Sequence, residues 1–292
     1  MTVGNYVEDL VECFLCGKQN NPSAAECKEC NGPIFVSEQY ATDPDKQPNI
    51  IVALGAPAVG KSVYLGMLLE NLARGNDLDV RLDGADSTKM QHHVMLALSR
   101  GAFPENGDDV AWNWGRCLWG KGRKAKEVLL PDFPALPAIE DYEGRRDCPV
   151  ISYTIRKSVG LMLFIDAAAV HRGDADEEYF ALHLLRYYTD AFRIPIDETD
   201  KPRKRKVRVA FVLAKSDQSK DCLDAPDDFV RSKMPELWKA CKEQLSCYKF
   251  FPTSVAGVCV SVDSKRGYKT EVPLRVEPRG IQDPFRWMLQ QI

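Results

Sequence analysis

GAPAVGKS, Gly55 to Ser62, follows the apolar run NIIVAL (Asn49–Leu54) and precedes VYLGMLLENLA (Val63–Ala73). Gly55-x-x-x-x-Gly60-Lys61-Ser62 is the spacing of a phosphate-binding loop, and an apolar strand before with a helix after is the context that pattern needs. The amides of Ala58, Val59, Gly60, Lys61, Ser62 and Val63 are expected to converge on a β-phosphate at the positive end of the helix. Gly60 is expected because a side chain there would block the anion. Lys61 is placed to reach the β and γ oxygens, and the Ser62 hydroxyl to sit on Mg²⁺. Nothing in the loop chooses the base.

Two downstream stretches bear on that choice. The apolar run VRVAFVLA ends in Ala214-Lys215-Ser216-Asp217, and YKFFP runs into Thr253-Ser254-Val255-Ala256-Gly257. An Asp after such a strand can accept two hydrogen bonds from N1–H and the exocyclic amine of guanine. Adenine offers no matching pair of donors, so the carboxylate would be left desolvated and unpaired.

Taken in order over residues 49–292, GAPAVGKS, AKSD and TSVAG resemble a P-loop GTPase of the translation-factor-related (TRAFAC) class, and especially prokaryotic double-GTPase-like proteins. The resemblance implies an α/β fold with a mostly parallel sheet and helices on both faces, and Mg²⁺-dependent hydrolysis of GTP to GDP. It implies that the Lys215 stem lies along the guanine face and that Asp217 reads its edge. A backbone amide near Val255, in the supporting loop that includes Ser254, is implied to contact O6. Ala214 stands where the family has Asn or Thr. A hydrogen bond tying the base loop to the phosphate loop is therefore expected to be missing, with looser nucleotide binding.

The family also places an Asp at the end of a middle strand, where it holds Mg²⁺ through water. Asp132 in EVLLPDFPAL follows an apolar run but lacks the usual glycine; Asp141 has D-x-x-G spacing through Gly144 but follows a poor strand. Asp132 is the favoured catalytic partner of Lys61. Neither loop carries the water-orienting Gln of related GTPases, since Arg145 and Arg146 follow Gly144. The segment RGAFPENGDDVAWNWG, where the first switch is sought, contains no Thr. Slow hydrolysis follows, on the order of 10⁻⁴ to 10⁻² per second, unless Arg145 or Arg146 acts as a finger in cis.

Before the strand, Cys13-Phe-Leu-Cys16 and Cys27-Lys-Glu-Cys30 form two C-x-x-C pairs separated by ten residues. Each can close a knuckle, with Gly17 and Gly32 permitting the turns, and four thiolates around one tetrahedral ion make a structural Zn²⁺ site. The other cysteines show no paired spacing and read as buried filler. The domains predicted are a zinc ribbon over 1–36, a linker over 37–48 and a nucleotide-binding domain over 49–292.

GLMLFID (Gly160–Asp166) reads as a central parallel strand. ADEEYFALHLLRYYTDAFRI, PELWKACKEQL and PFRWMLQQI read as helices, with Tyr187, Tyr188 and Phe192 a core stripe. An appended hairpin is predicted between Gly257 and Pro278, turning at Lys265–Gly267. The chain has 292 residues, 45% hydrophobic and 28% charged, with net charge −3, so no global field favours nucleic acid or an anionic membrane. The acidic N-terminus and short apolar runs predict a cytoplasmic protein with no membrane insertion. Three functions stay open: a GTP/GDP switch acting on a protein partner, a nucleotide-holding scaffold, and a nucleic-acid reader using the ribbon and the basic runs Lys121–Lys126 and Lys201–Lys206.

Overall fold

The computed structural model describes residues 10–42, 47–75, 78–104, 113–195, 206–263 and 269–292. The cysteine knuckles carry strands β1 (Val11–Glu12) and β2 (Gln19–Asn20), and helix α1 (Ile34–Thr42) follows. Next come β3 (Asn49–Gly55), α2 (Lys61–Ala73), β4 (Val80–Leu82), α3 (Ala85–Ser99), β5 (Asn113–Trp119) and β6 (Lys126–Asp132). The middle holds α4 (Ala135–Tyr142), α5 (Pro149–Lys157), β7 (Ser158–Asp166), α6 (Ala167–His171), α7 (Asp176–Arg193) and β8 (Arg208–Ala214). The chain closes with α8 (Lys220–Asp224), α9 (Pro226–Lys233), α10 (Pro235–Gln244), β9 (Cys247–Pro252), β10 (Ser254–Asp263), β11 (Lys269–Arg279) and α11 (Asp283–Gln291).

Seven strands form one sheet in the order β4-β5-β6-β3-β7-β8-β9. From β6 to β9 neighbouring strands run parallel, while β5 is antiparallel to both β4 and β6. Side-chain alternation then sorts the helices. Ile50, Val52, Leu54, Leu163, Ile165, Phe211 and Leu213 face one core with residues of α5, α7, α9 and α10. Ile51, Ala53, Met162, Phe164, Ala210 and Val212 face the other with residues of α2, α3 and α11. With both faces covered, the central strands need no alternation of polar and apolar residues. The result is an α/β fold with a mostly parallel sheet, as the sequence implied.

Tyr187, Tyr188 and Phe192 lie in the core. The hairpin β10–β11 is present as a separate two-stranded sheet beginning at Ser254. One segment differs from expectation: α1 covers the first part of the predicted linker. Its Ile34, Val36 and Ser37 are buried, and the Ser37 hydroxyl accepts the Phe14 N–H at 2.9 Å. Burial against the knuckles decides the conformation there, over the prolines further along. The ribbon also continues into the main core, where Val11, Leu15, Ile34 and Val36 share a buried cluster with Val150 and Ile151, and the Lys157 amine sits over the Phe14 ring at 4.6 Å. No described helix is long and apolar enough to cross a membrane. Residues 105–112 of the first-switch segment, 201–205 of the second basic run and the hairpin turn at 265–267 lie outside the described residues.

Candidate functional site

Because β3, β6, β7, β8 and β9 are parallel, their C-terminal ends share one edge of the sheet, and residues far apart in sequence meet there. The register pairs Ala53 with Asp132, Gly55 with Phe164, Asp166 with Ala214 and Leu213 with Pro252. After β3 the chain runs out to β4, returns through β5 to β6 beside β3, and then crosses to β7 on the other side of β3, so strand order reverses at β3, the place where open α/β sheets bind ligands.

The loop from Gly55 to Ser62 crosses that edge. Gly55 ends β3 against Phe164, and Gly60 caps α2 with φ of +94°. Beyond its two chain neighbours no protein atom lies within 4 Å of a Cβ built on Gly60, so among protein atoms the glycine is required by its left-handed backbone rather than by crowding. Ala58 is also left-handed, at φ +60°, which is uncommon for a residue with a side chain. Lys61, Ser62 and Val63 occupy the first turn of α2, where helix geometry gives the amides no intrahelical acceptor. Val59 N–H instead points back to Ala56 O at 3.4 Å. Behind the loop, Tyr64 donates its hydroxyl proton to Ile281 O at 2.6 Å and packs edge-on to Phe164.

Lys61 and Asp132 are both buried and form an ion pair. Asp141 lies within α4 rather than at a strand end. Its carboxylate accepts the Cys148 N–H at 2.8 Å and the Tyr187 hydroxyl, which makes it an internal brace between α4, α5 and α7. The D-x-x-G spacing at 141–144 is therefore the end of a helix. Arg145 and Arg146 pair with Glu143 and Glu140 at that same helix end.

In the loop expected to recognise the base, Lys215 has φ of +56° and its amine donates to Ala58 O at 3.1 Å and to the Asp166 carboxylate at 2.5 Å. Asp217 sits half-buried in the turn that follows and accepts the Ser254 hydroxyl at 2.5 Å. The two base-side loops are sewn together: Ser216 donates from N–H and hydroxyl to Thr253 O at 3.1 and 3.0 Å, and Thr253 N–H donates to Leu213 O at 2.9 Å. Ser254 and Val255 begin β10 instead of lying in a free loop. Ala214 offers no side-chain hydrogen bond to the Gly55–Ser62 loop, as expected, but Lys215 makes a different one to Ala58 O.

Sequence reasoning missed Asp166 and Glu177. Asp166 ends β7, caps α6 by accepting Ala169 N–H at 2.9 Å, and gives its own N–H to Glu177 at 3.1 Å. Burial pushes the Glu177 carboxyl up to about 7; the Asp166 amide opposes that shift, and the Asp166 charge adds to it. The signal available was an Asp closing an otherwise apolar strand.

At the ribbon, the sulfurs of Cys13, Cys16, Cys27 and Cys30 all lie within 4.8 Å of one another. A set of four thiols fits a tetrahedral Zn²⁺ site. Glu29 N–H, Gly32 N–H and the Asn20 amide point at these sulfurs at 3.3 to 3.4 Å, the arrangement that supports thiolates. Hydrogen bonding from Cys30 pulls the Cys13 thiol down to about 5 and pushes Cys30 up. Gly17 makes the first turn with φ of +77°, but in the second knuckle Asn31 takes the left-handed conformation, at φ +60°. Gly32 is there for closeness, since a Cβ would lie 2.5 Å from Leu15. Cys117, Cys148, Cys222 and Cys241 are buried, and Cys247 and Cys259 partly so.

No family model matches this chain, and no curated protein matches it. Among solved structures, nucleolar GTP-binding protein 1 of Plasmodium falciparum is similar over 85% of this chain and 87% of its own, with 14% identity and a TM-score of 0.43. The fold assignment rests on this chain's own strand order and loop geometry.

Proposed function

We propose that the chain binds GTP and GDP with Mg²⁺, hydrolyses GTP slowly, and uses the two nucleotide states as a switch for a protein partner. The observation that carries this reading is the direct contact between the two motif loops. Lys215 reaches Ala58 O, which brings the turn that carries Asp217 against the Gly55–Ser62 loop and supports one shared nucleotide cleft. In that cleft the first-turn amides of α2 and Lys61 would hold the phosphates, Ser62 and Asp132 would hold Mg²⁺, and Asp217 would select guanine. Mg²⁺ would neutralise phosphate charge. Lys61 and Asp132 would part from each other to serve phosphate and metal, so the pair keeps both charges compensated beforehand. A structural Zn²⁺ held by the four ribbon thiolates completes the proposal, with one metal per chain expected on metal analysis.

A hydrolysis-deficient scaffold is the second reading, favoured by the lack of a Gln after Asp132 and of a Thr in residues 100–115. Turnover of labelled GTP by the purified protein, beside Lys61→Ala, separates the two. Phosphate release above that control supports the switch; release equal to it supports the scaffold. Nucleic acid is a less favoured partner. Of its basic runs, Lys121 is exposed and paired with Asp79, and Lys126 lies over Trp119.

A further inference from the structure

Ala214 removes the side chain that the resemblance assigns to tying the base loop to the phosphate loop, yet the two loops touch. The contact is made by one amine, and its geometry raises a question: what keeps a half-exposed lysine aimed at a carbonyl? The Lys215 side chain retains 37% of its exposure, whereas the Asp166 carboxylate beside it retains 9%. A lysine this accessible would lose several rotatable bonds' worth of freedom on being held. It is held by a rigid anion. Asp166 is fixed at both ends, its backbone N–H by Glu177 and one carboxylate oxygen by the α6 amide of Ala169, leaving the other oxygen turned to Lys215.

The two loops share a further property. Of the four described residues other than glycine with positive φ, two are Ala58 and Lys215, and they are joined by the Lys215 Nζ to Ala58 O bond. Backbone in this region is strained for such residues and persists only where neighbours hold it. The Asp166–Lys215–Ala58 chain is positioned to do that for both loops at once.

We propose that Asp166 is the positioning residue of the nucleotide cleft, holding Lys215 against Ala58 O and so replacing the tether absent at Ala214. Asp166 touches neither phosphate nor base in this account; it acts through Lys215. The inference rests on the guanine-nucleotide reading for its affinity consequence, but the effect on loop order does not require nucleotide.

Asp166→Asn is the informative variant, because Asn caps a helix as well as Asp does while carrying no charge to hold Lys215. Titration of GDP with Mg²⁺ should show about tenfold weaker binding, with the melting temperature unchanged. In a Lys215→Met background the same substitution should change affinity by less than about twofold, because the two residues act as one unit. Affinity within twofold of wild type, or an equal loss in both backgrounds, would overturn the proposal and leave Asp166 as a helix cap. Hydrogen exchange of nucleotide-free protein supplies the independent arm. The amides of Ala56, Ala58, Val59 and Gly60 should exchange about threefold faster in Asp166→Asn, and unchanged exchange would overturn the proposal. Failure of wild type to take up GDP would refute the guanine reading instead, while the exchange result would still decide the role of Asp166.

Discussion

The proposed phosphate end and the proposed base end of the site are built by different means. At the phosphate end a contiguous segment makes nearly everything: Gly55 through Val63 turns from β3 into α2 and presents backbone groups set by helix geometry. At the proposed base end the parts are spread over three separate segments. Asp166, the Lys215–Asp217 turn and Thr253–Ser254 come from three strand ends and meet through the side chains of Asp166, Lys215, Ser216, Asp217 and Ser254, with the Thr253 carbonyl accepting from Ser216. A backbone-built site tolerates side-chain changes except at the lysine and glycines, whereas a side-chain-built site depends on each charge and hydroxyl.

That contrast sets the sizes of the effects expected when each end is broken. Lys61→Ala should be the most damaging, weakening GTP on the order of 100-fold, because a charged contact to phosphate is lost and the Asp132 carboxylate is left buried without its partner. Asp217→Asn should come next: about 30-fold against GTP with ATP affinity nearly unchanged, read by competition titration. Equal loss for both nucleotides would mean that Asp217 does not select the base. Ser254→Ala should cost only about threefold, since Asp217 would lose one neutral hydrogen-bond donor and keep its place in the turn.

The smallest effect lies beneath the base end and depends on pH. Glu177 titrates near 7 when folded, against an ordinary value of 4.5, so the folded protein holds a proton there that the unfolded chain releases. This group's contribution to stability is therefore largest below about pH 4.5 and is lost as pH rises through about 7. Glu177→Gln removes that loss. Its melting temperature relative to wild type should improve between pH 5 and pH 8 by on the order of 2 °C. A constant difference across that range would show that Glu177 is ionised throughout.

The same division governs what the sequence reveals. The phosphate loop is legible because its requirements are local: a strand, two glycines, a lysine and a helix start in one stretch. The central strands are legible as continuous apolar runs, and their shared edge follows from being parallel. Asp166 was not legible as a site residue. It lies 49 residues from Lys215, and only the adjacency of β7 and β8 brings them together. Asp141 shows the opposite failure, a correct spacing on the wrong element, since Tyr187 and Cys148 use its carboxylate to pack helices. Helix α1 was hidden because the signal that stabilises it, burial against the knuckles, is tertiary.

Calorimetry with GDP, GTP and ATP in the presence of Mg²⁺ tests the central claim most directly, namely that one cleft joins a backbone phosphate site to a guanine-selecting carboxylate. Uptake of GDP and GTP at one site per chain, with ATP at least about tenfold weaker, is the predicted result. Folded protein that takes up neither guanine nucleotide, or binds ATP equally well, would contradict it.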